Sequence, residues 1–364
     1  MKQEGAIAAI LAEWHQGEPP TGSTWETLIQ EELADPLRAQ GYGISRETVE
    51  SQLKARSQAL AVILPHLEQF PFPGDKILPS LWQLWLPLAM KLIASHQKLG
   101  RPWIQGILGG QGTGKTTLGR ILTWILTHLG YSTLALSLDD LYKTYLERQQ
   151  LRTEDPRLIW RGPPGTHDVE LGINLLDRLR NPDGQTIAVP RFDKSLWEGQ
   201  GDRTEPSLVQ NVDILLWEGW FVGVRPLDPA VFDNPPWPIM TAADHSFARD
   251  MNQRLRDYLP LWDRLDGLMV LYPQDYHLSL QWRMQAEWDM KAQGKAGMSD
   301  GEIGEFVEYF WKALHPELFV RPLLHPGSEV DLVIEMGGDR RIIAVYSPRQ
   351  MGETQASLNG VSPG

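Results

Sequence analysis

The run Gly109-Gly110-Gln111-Gly112-Thr113-Gly114-Lys115-Thr116 limits what this chain can fold into more than any other segment. It has the P-loop spacing: a glycine, four residues, a second glycine, then lysine and a hydroxyl residue. The apolar stretch Ile104 to Leu108 feeds it. A helical pattern leaves it, with Leu118, Ile121, Leu122, Ile125, Leu126 and Leu129 on one face and Gly130 at the end. Glycines let successive backbone N–H groups turn inward without Cβ clashes, which forms an anion nest at the positive end of the helix. Phosphates are what such a nest holds. Lys115 is then expected to reach the β- and γ-phosphates of ATP as a point charge, and the Thr116 hydroxyl to ligate Mg²⁺. The nucleotide-binding segment runs from Gly109 through Gly110, Gln111, Gly112, Thr113, Gly114, Lys115 and Thr116 to Thr117.

From Trp103 onward, short β-rich runs alternate with helical ones, the mark of a parallel sheet covered on both faces. The runs are Trp103 to Leu108, Thr133 to Leu138, Thr186 to Val189, Val212 to Leu216, Leu268 to Leu271, Val330 to Ile334 and Ile342 to Val345. The expected fold is therefore α/β: a three-layer P-loop NTPase with a mostly parallel sheet flanked by helices, plus an α-helical N-terminal region. The expected divisions are 1–98 for that helical region, 99–346 for the P-loop domain with a lid at about 282–300, and 347–364 for a polar, fraying tail. Five prolines between Pro226 and Pro238 predict a surface excursion there.

Ligands of open α/β sheets bind beyond the carboxyl ends of the strands. One predicted strand ends in Ser137-Leu138-Asp139-Asp140-Leu141-Tyr142, and Asp139 is the candidate base for an attacking hydroxyl. Asp140 fits helix capping equally well. Another buried strand ends in Leu216-Trp217-Glu218-Gly219, where Glu218 is placed to hold Mg²⁺ or its water shell. Between these acids lie Arg161 to Asp168 and Pro190 to Arg203, both loop-like and rich in groups that recognise anions. Arg191, Lys194 and Arg203 are candidates for an acceptor carboxylate or the migrating phosphoryl group, and His167 for a hydroxyl. Further on, Arg283 precedes a glycine pair, Gly294 and Gly297, that encloses Lys295, and either Arg283 or Lys295 is placed to swing over the phosphates as part of a lid.

Composition removes several other classes. A formal net charge of −12 without a basic cluster disfavours nucleic acid and anionic lipid. No cysteine is present, which excludes disulfides and thiolate chemistry and suits a cytoplasmic protein. The longest apolar stretch, Leu81 to Met90, contains Gln83 and Pro87 and falls short of the ~20 residues of a membrane span. No membrane partner is expected. The Ala6 to Ala12 run is bracketed by Glu4 and Glu13 and reads as a helix face, not a signal peptide.

The ordered set of motifs closely resembles the D-glycerate 3-kinase family of plants, cyanobacteria and fungi. It comprises the P-loop, Ser137 to Tyr142, Arg161-Gly162 with Gly165 to Asp168, Pro190 to Ser195, Gly199 to Arg203, Glu218-Gly219-Trp220, and Trp282 to Glu287 with Gly294 to Asp300. The likeness covers about residues 100 to 346 and extends distantly to uridine kinase, pantothenate kinase and phosphoribulokinase. It implies ATP-dependent phosphorylation of the small molecule D-glycerate to 3-phosphoglycerate, the closing step of photorespiratory carbon recovery in phototrophs; separately, a monomer is expected. Pro163 stands where Asn is expected and Phe192 where Tyr is common, so neither is assigned a polar contact. The residues alone leave open a related kinase acting on pantothenate or a nucleoside, or a nucleotide-dependent switch.

Overall fold

The computed structural model describes residues 2–72, 77–292, 294 and 297–352. Eight strands form: β1 Trp103–Gly109, β2 Thr133–Ser137, β3 Ile187–Asp193, β4 Asp202–Val209, β5 Ile214–Gly219, β6 Gly267–Pro273, β7 Leu332–Met336 and β8 Ile342–Tyr346. Six of them make one sheet in the order β2-β5-β1-β6-β7-β8, parallel except for β8. Its strands read as continuous apolar runs because both faces are covered. In β5, Ile214 and Leu216 point into one apolar cluster while Leu215 and Trp217 point into the other. Alternation along β6 does the same, with Met269 and Leu271 opposite Val270 and Tyr272.

The N-terminal helices pack on one of these faces. Ile7, Leu11, Leu28, Leu53 and Leu60 belong to the same buried cluster as Ile107, Ile121, Ile214, Leu332 and Val345. Two helices in this layer, Gly22–Leu33 and Val49–Ile63, are joined by a buried ion pair: Arg56 donates to both Glu32 oxygens at 2.7 and 3.0 Å and to the Trp82 carbonyl at 3.2 Å.

Three expectations need correction. Thr186 to Val189 is not in the main sheet; with β4 it forms a separate antiparallel hairpin, and the segment read as a loop, Pro190 to Arg203, is largely its strands and tip. The helical run 77–99 is long and apolar enough to cross a membrane, yet Leu81, Trp82, Leu86, Leu88, Ala89 and Leu92 are buried in the cluster described above. A π turn at Leu81–Trp85 carries this run across Pro87, whose missing N–H would interrupt an ordinary ladder. The first residues of the expected tail are held to the fold. Arg349 pairs with Asp331 at 2.9 Å, and residues 353–364 lie outside the described residues.

Removing one partner of a buried ion pair leaves an uncompensated charge, which costs about 3–5 kcal/mol. Glu32→Ala is therefore expected to lower the free energy of unfolding by that order in urea titrations. Glu32→Leu with Arg56→Met together should cost much less.

Candidate active site

The parallel register brings the carboxyl-end regions of four strands into line. Ser137 of β2 stands beside Glu218 of β5, Leu108 of β1 beside Gly219, and Gly109 beside Leu271 of β6. Just beyond β1 the P-loop turns into the helix Lys115–His128. Gly112, at φ +74°, passes so close to the helix Leu278–Ala292 that a Cβ would stand 2.7 Å from the Trp282 Cβ. Only glycine fits there. The Thr113 hydroxyl donates to the Gly110 carbonyl at 2.9 Å, and Lys115 Nζ to the same oxygen at 2.8 Å. Burial pulls the Lys115 pKa below its ordinary value, against the opposing charges of Glu218 and Asp139. The ammonium folded back onto a carbonyl is thus a donor poised for a stronger anionic partner.

Thr116 Oγ1 donates to Glu218 Oε1 at 2.6 Å. A hydroxyl and a carboxylate oxygen held together beside a phosphate nest are the hard oxygen donors that Mg²⁺ prefers, so these residues fit the ion. A cavity of about 830 Å³ opens here; Gln111, Gly112, Lys115, Thr116, Asp139, Lys194, Glu218 and Arg283 are among its lining residues. Thr117 is exposed on the first helical turn and is not part of the lining.

The two aspartates divide their tasks. Asp140 is occupied: it accepts from the Ser137 and Phe192 amides at 3.0 and 3.3 Å and from Arg191 at 3.2 Å. Burial raises its pKa despite these donors. Asp139 faces the cavity, paired with Lys194 Nζ at 2.5 Å and hydrogen-bonded by the Tyr142 hydroxyl. Burial pushes its pKa up, but Lys194 and Tyr142 outweigh it and hold the carboxyl below the usual range.

Three candidate substrate groups are placed elsewhere. Arg191 donates to Asp140, to the Ser207 hydroxyl at 3.0 Å and to the Ala135 carbonyl at 3.3 Å. It fastens the hairpin to the sheet and does not line the cavity. Arg203 is spent on Asp168 at 2.9 Å and the Tyr142 carbonyl at 2.8 Å. His167 is 2% exposed, stacked behind Tyr142 and bonded through Nδ1 to the Tyr258 hydroxyl at 2.8 Å. Burial lowers its pKa to about 3, so its ring is neutral. Arg283 lines the cavity and is paired with the buried Glu287; Lys295 lies outside the described residues.

Of the other lining residues, Tyr142, Arg161 and Gln200 fall in segments named from the sequence without a role of their own, and Arg148, Gln149 and Arg152 fall in none. One signal was present. Arg148, Gln149 and Arg152 fall on a single face of the helix Tyr145–Glu154 by their spacing.

A parallel sheet carrying a phosphate nest at the carboxyl end of β1, a hydroxyl–carboxylate pair beside it and an aspartate lining the same cavity defines a P-loop phosphotransferase. No family model matches the chain. It is 34% identical over 219 residues to an uncharacterized kinase, mug58, of Schizosaccharomyces pombe, covering 58% of this chain and 79% of that protein. It is 33% identical over 251 residues to the chloroplastic D-glycerate 3-kinase of Arabidopsis thaliana, covering 65% of this chain and 53%, about half, of that relative. The solved structure of a D-glycerate 3-kinase from Cryptococcus neoformans superposes with a TM-score of 0.64 at 28% identity, covering 71% of this chain and 97% of that one. The chain belongs to the family of P-loop kinases that includes the D-glycerate 3-kinases.

Two outcomes are expected. Lys194→Met removes the charge that holds Asp139 ionised, so the acid limb of the kcat/KM profile for the acceptor should move to higher pH. No inflection from His167 should appear near the ordinary histidine value of about 6.5, because its pKa sits near 3. A wild-type profile with a histidine-like break that His167→Gln abolishes would contradict this placement.

Proposed function

We propose that this kinase transfers the γ-phosphoryl group of ATP to a hydroxyl of D-glycerate, giving 3-phosphoglycerate and ADP. Support comes from the plant and fungal relatives named D-glycerate 3-kinase. The observation that carries the chemistry is that the P-loop lysine, the Thr116–Glu218 pair and Asp139 all line one cavity.

Transfer is in line. The acceptor oxygen bonds to the γ-phosphorus, the bond from that phosphorus to the β–γ bridging oxygen breaks, and ADP leaves with the electron pair. Asp139 orients the acceptor hydroxyl and takes its proton. Lys115 exchanges its carbonyl partner for phosphate oxygens and spreads the charge that develops on them. Lys194, released from Asp139 as the acceptor enters, stays on the wall of the same cavity as a cation for the transferred group. Magnesium held by Thr116 and Glu218 would neutralise phosphate charge. Arg283, anchored by Glu287, closes the nucleotide side and helps exclude water, so that ATP is not spent on hydrolysis.

Release of ADP should rise many-fold on adding D-glycerate and not on adding pantothenate or uridine. A nucleotide-dependent switch would show no acceptor stimulation, and a pantothenate or nucleoside kinase would answer to the other compounds. Asp139→Asn is expected to lower kcat by roughly 10²–10⁴-fold with little change in the KM for ATP.

A further inference from the structure

We propose that Arg161, with Arg148 beside it, receives the carboxylate of the acceptor and so makes the enzyme select a hydroxy acid over a neutral alcohol. This rests on the phosphorylation of D-glycerate argued above and assigns the part of the site that reads its acidic end.

The cations of the cavity sort themselves by partner. Lys194 is paired with Asp139 and Arg283 with Glu287, while Lys115 belongs to the phosphate nest. Arg152 is exposed to solvent. Arg148 and Arg161 are partly buried, and neither has a carboxylate partner among the described residues. Their bonds go to neutral carbonyls of the hairpin tip and the preceding loop. Arg148 reaches Lys143, Gln200 at 2.7 Å and Gly201 at 2.6 Å; Arg161 Nη1 reaches Gly199 at 2.7 Å and Gln200 at 3.0 Å.

Both guanidinium groups lie over Phe192, 5.0 and 5.7 Å from its ring centre. Two like charges so placed repel each other, and burial together with Arg161 lowers the Arg148 pKa against the pull of Asp202. An arriving anion relieves that repulsion.

Arg161 has the geometry to accept it. Its Nη1 is committed to the hairpin carbonyls, whereas Nε and Nη2 have no partner among the described residues. Those two atoms form the edge that binds a carboxylate through two parallel hydrogen bonds. The guanidinium carbon is also 6.0 Å from the centre of the Tyr142 ring, and the hydroxyl of that ring bonds Asp139. Arg161 and Asp139 therefore flank one aromatic ring, so a short hydroxy acid lying across it presents its carboxylate to the first and its hydroxyl to the second. The better-advertised Arg191 and Arg203 cannot serve, since each already holds an aspartate.

The test compares wild type, Arg161→Lys and Arg161→Gln on D-glycerate and on glycerol, which has the hydroxyls without the carboxylate, with ADP release followed at saturating ATP. Lysine keeps the charge but loses the planar fork. The expected result is a rise in the KM for D-glycerate of about 10-fold for lysine and about 100-fold or more for glutamine. Turnover of glycerol, the KM for ATP and the melting temperature should stay within about twofold, so that the preference for the acid collapses. A D-glycerate KM unchanged within about threefold in both variants would overturn the assignment. So would a parallel loss of glycerol turnover and melting temperature in both, which would make Arg161 a strut for the hairpin. Failure of the underlying reading shows separately, in wild type: no stimulation of ADP release by D-glycerate removes both.

Discussion

The parallel register of β2, β5 and β1 is the constraint on which the site depends. Neighbouring parallel strands end on the same edge, so pairing Ser137 with Glu218 and Leu108 with Gly219 delivers two acidic turns and the phosphate nest to one line. A shift of β5 by one residue would turn Glu218 into the core and bring an apolar neighbour to the edge. Burial on both faces holds the strand inside the sheet, with Ile214 and Leu216 packed on one side and Leu215 and Trp217 on the other.

Charge pairing then decides which polar groups remain available for chemistry. A carboxylate or guanidinium taken out of water needs a partner, and the fold supplies internal ones where it needs stiffness. Asp140 with Arg191 fastens the β3–β4 hairpin to the end of β2, and Asp168 with Arg203 fastens the same hairpin to the helix Val169–Arg180. These struts hold the tip of the hairpin over the cavity. What they leave free is Asp139 with its exchangeable Lys194, and the pair Arg148 and Arg161, whose protein partners are neutral carbonyls.

Much of this was legible in the chain, and the misses share a cause. The P-loop, Asp139 and Glu218 announce themselves because each is a local pattern: a strand, then a polar residue at its carboxyl end. The acceptor side is built differently. Arg191 and Arg203 looked free because their aspartate partners lie 51 and 35 residues away in the chain. His167 reads from the sequence as a contact for an acceptor hydroxyl because nothing nearby in the chain shows that Tyr142, Phe221 and Tyr258 close around it. The hairpin was read as a loop because Pro190, the bulge after Val189 and the glycines at its tip obscure the strand pattern.

By itself, the sequence determined that a phosphate nest sits between a buried strand and an amphipathic helix, that acids stand at two further strand ends, and hence that the chain is an α/β nucleotide-binding protein with groups placed for phosphoryl transfer. These follow from local periodicity and backbone chemistry, which need no knowledge of distant partners. Only the tertiary structure decided which aspartate stays available, which arginines are consumed as struts, and that the N-terminal helices complete one face of the sheet. Those outcomes depend on which charges and apolar faces meet after the chain has closed on itself, and a residue's neighbours in space are not its neighbours in sequence.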